Sequence, residues 1–313
     1  TLEGDLAMAT RAADLVSESV FERLDVKRDI HRRLDEVCPT ATILTTNSSH
    51  LQVSDMEDVV QRGDRFAALH SHLGSPLVDI VPGPRTDPEV VAVLESYVKS
   101  TGGVPLILKK EYPGYLLNAM LGPVLGCALA LLVTGVAERE AVDRAWMRKR
   151  RATMGPCGMM DLFGLNLILD SWEHREGDAL QVSLRPCVLE LLRPYVERGE
   201  VGMMTGRGLN TYPEPTDQRP GFLEAGDADD ALHDSLAAAL VGHAILLAAR
   251  DVADPAAIDL AWTVGTYLDT GPFALLAEMG PRRLREALAG EERGGRLLTT
   301  KAREIEAWLQ QNP

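Results

Sequence analysis

Apolar positions in the first third of the chain fall into short runs divided by polar turns, and the runs alternate between two periods. Residues 13–19 form a short β-type run that ends on polar side chains. Val26, Ile30, Leu34 and Val37 then recur at helical spacing, with Lys27, Arg28, Arg32 and Arg33 on the other faces. Thr40 to Thr46 is short, β-branched and runs into the polar turn Asn47-Ser48-Ser49-His50, which predicts a second strand. Phe66 to Leu69, ending on His70, is a third, Leu77 to Val81 a fourth and Val104 to Leu108 a fifth. Asp87 to Ser100 starts with an aspartate and a proline and reads as a helix. This alternation over residues 1–110 predicts an α/β unit with a largely parallel sheet, whose ligands bind beyond the carboxyl ends of the strands. Glu18, Asn47, Ser49 and His70 fall at those ends.

After about Lys110 the strand signals vanish and helical periodicity runs to the end. The most apolar run, Leu121 to Val136, is interrupted by three glycines and a proline and is too short for a membrane span, so it reads as a buried helix. Gly199 to Gly221, with five glycines and three prolines, is expected to link two helical units. Those units are related by an offset of 116 residues, which superposes Asp143, Ala145 and Trp146 on Asp259, Ala261 and Trp262, Gly155-Pro156 on Gly271-Pro272, and Gly164 on Gly280. Duplicated helical modules account for the match. The expected domains are therefore residues 1–110, 111–215 and 216–313.

A chain of 313 residues can hold two or three cores, and 45% apolar with 25% charged residues is ordinary soluble composition. The net charge of -14 argues against nucleic acid or an anionic membrane as the main partner. The basic run Arg148 to Arg151 reads as a solvated helix end, with a phosphate site as the alternative. Cys38, Cys127, Cys157 and Cys187 are far apart without a Cys-x-x-Cys pair, so neither a zinc site nor a disulfide framework is indicated. A reducing, cytoplasmic compartment is expected. The chain opens on Thr1 with no signal pattern, and a strand follows almost at once.

Histidine at a strand end is more often a hydrogen-bonded structural residue than a base. His70 gains a catalytic reading from its company. The sequence resembles the L-3-hydroxyacyl-CoA dehydrogenase family through several short motifs in order: Asn47-Ser48-Ser49, Leu69-His70, Leu77-Val78-Asp79, Pro113 to Asn118, Gly155 to Gly164 and Gly206-Arg207-Gly208-Leu209. The match covers roughly residues 5–215. The resemblance implies α/β plus all-α architecture, with a Rossmann-type dinucleotide-binding domain that is partial here, followed by two related helical domains. It also implies an NAD-dependent oxidoreductase, NADP being possible, that interconverts a 3-hydroxyacyl thioester, as acyl-CoA or carrier-bound, with its 3-oxo form. In that family pattern His70 is the general base and Asp79 orients it. Ser49 and Asn118 bond the reacting oxygen or the nicotinamide amide. Asn47 lies beside the nicotinamide, and Glu18 and Lys27 lie near its ribose and phosphates. Duller readings are turn formation for Asn47 and Ser49, helix capping for Asn118, a strand end for Asp79 and solvated charge for Glu18 and Lys27. No metal is implied, and apolar helical faces suggest a homodimer.

Two departures stand out. After His70 the chain reads Ser71-His72-Leu73-Gly74-Ser75-Pro76, without the family's asparagine, and Asp79 follows nearer than the family's glutamate. No Gly-x-Gly-x-x-Gly opens the chain either, so the family's first half-domain is expected upstream of Thr1. A non-catalytic binding protein keeping the fold, and a β-hydroxyacid dehydrogenase using a lysine base, are the alternative readings.

Overall fold

A computed structural model describes residues 3–72, 74–174, 179–226, 229–296 and 299–312. The chain divides into two compact units, Thr1–Ala119 with Arg250–Tyr267, and Met120–Ala249 with Leu268–Pro313.

The first unit is built on a five-stranded sheet in the order β1-β2-β3-β4-β5, formed by Leu15–Glu18, Ile43–Thr46, Phe66–Ser71, Leu77–Pro82 and Val104–Ile107. Strands β1, β2 and β3 are mutually parallel, β4 runs antiparallel to β3, and β5 is parallel to β4. The sheet is largely parallel, as expected, with β3–β4 as the antiparallel pairing. The physical reason is length: a parallel neighbour needs a crossover of a dozen or more residues, and only a short loop separates Ser71 from Leu77.

Helices α1 (Leu6–Thr10), α2 (Leu24–Val37) and α3 (Pro88–Ser100) complete the α/β layers. Asp87 caps α3 by accepting the Glu89 N–H, and Pro88 supplies a fixed φ in the first turn. Val90, Leu94 and Val98 of α3 pack with Ile43, Ala67, Leu69 and Ile80, so one face of β3 and β4 is core. Alternation along a strand then sends Phe66 and His70, with Asp79 of β4, to the opposite face. There Phe66 meets the buried His31 ring of α2 edge-on at 4.7 Å.

Helix α10 (Pro255–Thr266), though it lies in the expected 216–313 segment, belongs to this first unit. Lys109 bonds Asp251 and Asp254 at 2.9 and 2.7 Å, and the Lys109 N–H donates to Val252 O. At its other end Ser75 Oγ donates to Val264 O and Tyr267 OH to Gly74 O, which fastens the loop after β3.

The second unit is helical: most of α4 (Leu117–Val133), then α5 (Arg139–Arg150), α6 (Pro156–Phe163), α7 (Leu165–His174), α8 (Ala179–Glu197), α9 (Asp230–Ala249), α11 (Pro272–Arg293, kinked at Gly280) and α12 (Thr299–Gln311). Helix α9 is apolar nearly all round and packs against α5, α11 and α12. By length and composition it could cross a membrane, yet most of it is buried here, as in a core helix.

Two expectations change in this unit. The basic run is solvated only in part: Lys149, which pairs with Asp230 at 2.6 Å, and Arg151 are exposed, whereas Arg150 is buried and donates to Thr270 O, and Arg148 donates to Ala225 and Gly226 carbonyls. Gly199 to Gly221 is not a plain linker either. Asp161 of α6 latches it by accepting the Leu209 and Asn210 N–H groups at 2.7 Å and the Tyr212 hydroxyl at 3.0 Å.

The repeat is written into the backbone. Helices α5 and α10 start and end at positions exactly one offset apart, and each is followed by a left-handed residue, Arg151 and Tyr267. Left-handed torsions recur at Gly135 and Asp251 and at Gly164 and Gly280. Trp146 and Trp262 are both fully buried, consistent with a packing role.

Candidate active site

Strand β3 carries His70 as its penultimate residue, and the antiparallel register sets Asp79 directly across from it. Opposed residues in such a pair have Cβ atoms about 5 Å apart. An aspartate therefore reaches the ring without the extra methylene of glutamate: His70 Nδ1 and Asp79 Oδ2 are 3.0 Å apart. The short loop that distinguishes this chain is what allows the pairing, because it turns β4 back beside β3.

His72 lies two residues on, where alternation returns a side chain to the same side. Its Nε2 is 2.7 Å from the same Asp79 oxygen, and the two imidazoles meet edge-to-face with centroids 4.5 Å apart. Asp79 is fully buried. Burial pushes its carboxyl up, but the hydrogen bonds from His70 and His72 outweigh this and leave it below the usual carboxylate range. An ionised carboxylate only accepts, so His70 presents Nδ1–H to Asp79 and keeps the lone pair on Nε2. A ring in that state takes a proton at Nε2 and holds the resulting cation against a buried anion.

Behind the pair stands Tyr115, 5.5 Å from the His70 ring between centroids. It follows Gly114 in a turn where both residues have left-handed torsions, φ 78° and 53°. A tyrosine there is unusual, with a cost of about 1–2 kcal/mol. Burial fixes it in place, and its hydroxyl donates to Ser48 O at 2.9 Å. Burial also raises its pKa, so the phenol stays neutral. Ser48 in turn accepts the Leu51 N–H at 2.8 Å and donates to Glu22 Oε1 at 2.5 Å.

Glu18 at the end of β1 and Lys27 in the first turn of α2 are both buried and paired with each other at 2.8 Å. Glu18 also accepts from Thr46 Oγ1 at 2.8 Å and the Val20 N–H at 2.6 Å, and lies 3.2 Å from His31 Nε2. Burial raises its pKa, but the His31, Lys27 and Thr46 hydrogen bonds hold it down at about 2. Lys27 reaches Glu22 as well, at 3.3 Å, and the Glu22 side chain is 42% exposed.

Of the residues singled out from sequence, the fold thus joins His70 to Asp79 and Glu18 to Lys27. Asn47, half-buried, accepts the Ser71 N–H at 2.9 Å and ties the β2 turn to the end of β3. Ser49 and Asn118 are half-buried on the turn and in the first turn of α4, and neither takes part in the hydrogen bonds of the histidine pair. Sequence reading missed His72 as a partner of Asp79, Tyr115 as a wall behind His70, and Glu22 as the exposed carboxylate beside Lys27. Strand alternation signalled His72, and the aromatic after Pro113-Gly114 signalled Tyr115.

The ligand atoms of His70, His72 and Asp79 lie within 4.8 Å of one another, close enough for one cation. Each facing nitrogen, however, is already at hydrogen-bonding distance from Asp79, so a proton-handling cluster accounts for the geometry. At the carboxyl edge of β1–β3 the polar groups that could hold the nicotinamide end of NAD are the partly exposed Glu22, Asn47 and Ser49, of which Asn47 is tied to the end of β3. The pyrophosphate end calls for a glycine-rich turn, and the sequence holds no Gly-x-Gly-x-x-Gly.

Residues 1–112 match the NAD binding domain of 3-hydroxyacyl-CoA dehydrogenase and residues 114–212 its C-terminal domain. A probable 3-hydroxybutyryl-CoA dehydrogenase of Bacillus subtilis is 30% identical over 207 residues, 65% of this chain and 71% of the relative. The human mitochondrial hydroxyacyl-coenzyme A dehydrogenase is 31% identical over 214 residues, 66% and 67% of the two chains. Among solved structures, a diketoreductase is 38% identical with a TM-score of 0.63, over 67% of this chain and 74% of that one. The 3-hydroxybutyryl-CoA dehydrogenase of Escherichia coli K12, at 20% identity, shares the fold over 98% of this chain and 84% of its own, with a TM-score of 0.75. Matched by the models of both domains over residues 1–112 and 114–212, this chain belongs to the NAD-dependent 3-hydroxyacyl-CoA dehydrogenase family.

Proposed function

We propose that His70 is the general base in oxidation of a 3-hydroxyacyl thioester, with Asp79 holding its ring. The observation that carries this is the 3.0 Å bond between His70 Nδ1 and a buried, ionised Asp79, which leaves the Nε2 lone pair for the substrate hydroxyl. NAD supplies the hydride acceptor. As the C3–H bond gives up its hydride, His70 Nε2 takes the hydroxyl proton and the C–O bond becomes a carbonyl; reduction returns the proton from the imidazolium. Asp79 does not take the proton but stabilises the cation that forms.

Asn47 and Ser49, and Asn118 at the start of α4, are the groups we assign to orienting the nicotinamide and the reacting oxygen. Glu18 and Lys27 act from within the fold, by holding Glu22 and the β1 end in place. Coenzyme A is the carrier we favour, because the matched relatives bear acyl-CoA names. A homodimer in the cytoplasm is the expected working form.

The test is formation of NADH from 3-hydroxybutyryl-CoA, with wild type beside His70→Gln. Loss of a general base is expected to lower kcat about 10²–10⁴-fold. A folded His70→Gln protein with activity near wild type removes His70 from the chemistry.

A further inference from the structure

The loop after β3 gives this chain something a histidine–carboxylate pair does not need, a second imidazole on the same carboxylate oxygen. His72 Nε2 lies 2.7 Å from Asp79 Oδ2 and His70 Nδ1 3.0 Å, with the ring planes 74° apart. The arrangement is held by the backbone. His72 N donates to Leu77 O, Ser75 N donates to His72 O, and Tyr267 and Ser75 fasten the loop to the segment 264–267. His72 is itself nearly buried, so its bond to Asp79 is not exchanged freely with water.

We propose that His72 is a positioning residue for the dehydrogenase reaction: as a second N–H donor to Asp79 it fixes the tautomer of the cluster and lowers the basicity of His70. This rests on the reading of His70 as the base. An ionised carboxylate accepts and cannot donate, so both nitrogens facing Asp79 Oδ2 carry hydrogen. His70 is then Nδ1–H and His72 Nε2–H. The single negative charge is divided between two donors, and His70 receives less stabilisation of its imidazolium than a carboxylate of its own would give. A proton added to both rings would set two cations on one anion. Among the described residues, Tyr115 lies 5.5 Å from His70, and the Glu22 and Glu111 carboxylates act on Tyr115. Replacing His72 leaves these in place, so a change in the titration of His70 reports on His72.

Removing the donor frees Asp79 to serve His70 alone, which raises the pKa of the base. In His72→Met the acid limb of kcat/KM for alcohol oxidation is expected to move up by about 1 pH unit, a tenfold change in proton affinity, close to the strength of one hydrogen bond to a charged group. His72→Gln keeps an N–H donor that does not titrate, and its acid limb is expected to stay near that of wild type. A purely structural role predicts a matching loss of kcat in both variants with the limb unmoved, and that result overturns the proposal. If His72→Met is folded but inactive, an NMR titration of the His70 ring replaces the rate profile, and an unshifted pKa overturns it too.

Wild-type protein supplies an independent readout should His72→Met fail to fold. Nitrogen-15 NMR of the imidazoles, recorded above the pair's titration, is expected to show Nδ1–H for His70 and Nε2–H for His72. The other tautomer in either ring refutes the shared carboxylate. This measurement needs no turnover, so absence of dehydrogenase activity would count against the base assignment and not against the sharing.

Discussion

Asp79→Asn changes one buried atom pair and tests the centre of the mechanism. In wild type two N–H groups converge on Asp79 Oδ2, at 3.0 and 2.7 Å. The amide can turn either end toward them. With its oxygen there, both hydrogen bonds survive but the charge that stabilises the His70 imidazolium is gone. With its NH2 there, donor meets donor until a ring changes tautomer, which puts a proton on His70 Nε2 where the lone pair is needed. A wrong tautomer in a comparable base costs on the order of 10⁴ in kcat. The assay is NADH formation from 3-hydroxybutyryl-CoA across pH, with a thermal melt as the check on folding. At neutral pH kcat/KM is expected to fall about 10²–10⁴-fold, with the acid limb moving to lower pH, opposite in sense to His72→Met. A folded Asp79→Asn enzyme with wild-type kcat/KM and an unmoved limb refutes the reasoning.

Four other outcomes follow from the structure. Glu18, held at about 2, contributes stability that is full above its unfolded pKa near 4.5 and is lost as pH falls toward 2. Denaturant unfolding of Glu18→Gln against pH should therefore lack that acid-side loss, on the order of 3 kcal/mol in wild type, while Lys27→Met, which strands the buried Glu18 charge, should cost about 3–5 kcal/mol at neutral pH. Asp143 has the reverse sign: burial raises it to about 7, so wild type is relatively stabilised below pH ~4 and loses that stability as pH rises through 7. Asp143→Asn keeps an oxygen for the Cys157 N–H, and its melting temperature should exceed wild type at alkaline pH and not in acid. Tyr115→Phe leaves Ser48 O without its buried donor and should cost about 1–3 kcal/mol in urea unfolding; no loss of stability would show that the bond does not hold the turn.

Local pattern carried much of this protein's design. The helical spacing of Val26, Ile30 and Leu34, the Asp87-Pro88 start of α3 and the β-branched run before Asn47 each sit where the chain forms the expected element, because period, cap and turn chemistry are local properties. The 116-residue repeat was legible for a related reason, since a helix, a left-handed residue and a Gly-Pro start must recur wherever the same unit is built twice. The order of the motifs was enough to pick His70 and Asp79 from the many polar residues. Local pattern could not say which residues finish far from their module. Helix α10 has the sequence of a helical repeat yet lies in the unit that carries the sheet, a matter of which faces find each other.

Sequence by itself therefore determined the kinds of element, the duplication, and the histidine and carboxylate that the fold brings together. Tertiary structure alone decided their relations. Antiparallel register, set by the short loop, placed Asp79 opposite His70, and it gave the same oxygen to His72. Closure of the β1 end joined Glu18 and Lys27, both expected near the cofactor, in a buried ion pair beside the partly exposed Glu22. The difference is physical: a residue's type and period are fixed by its neighbours in the chain, whereas hydrogen-bond partnership and the pKa it sets depend on groups brought together across many residues.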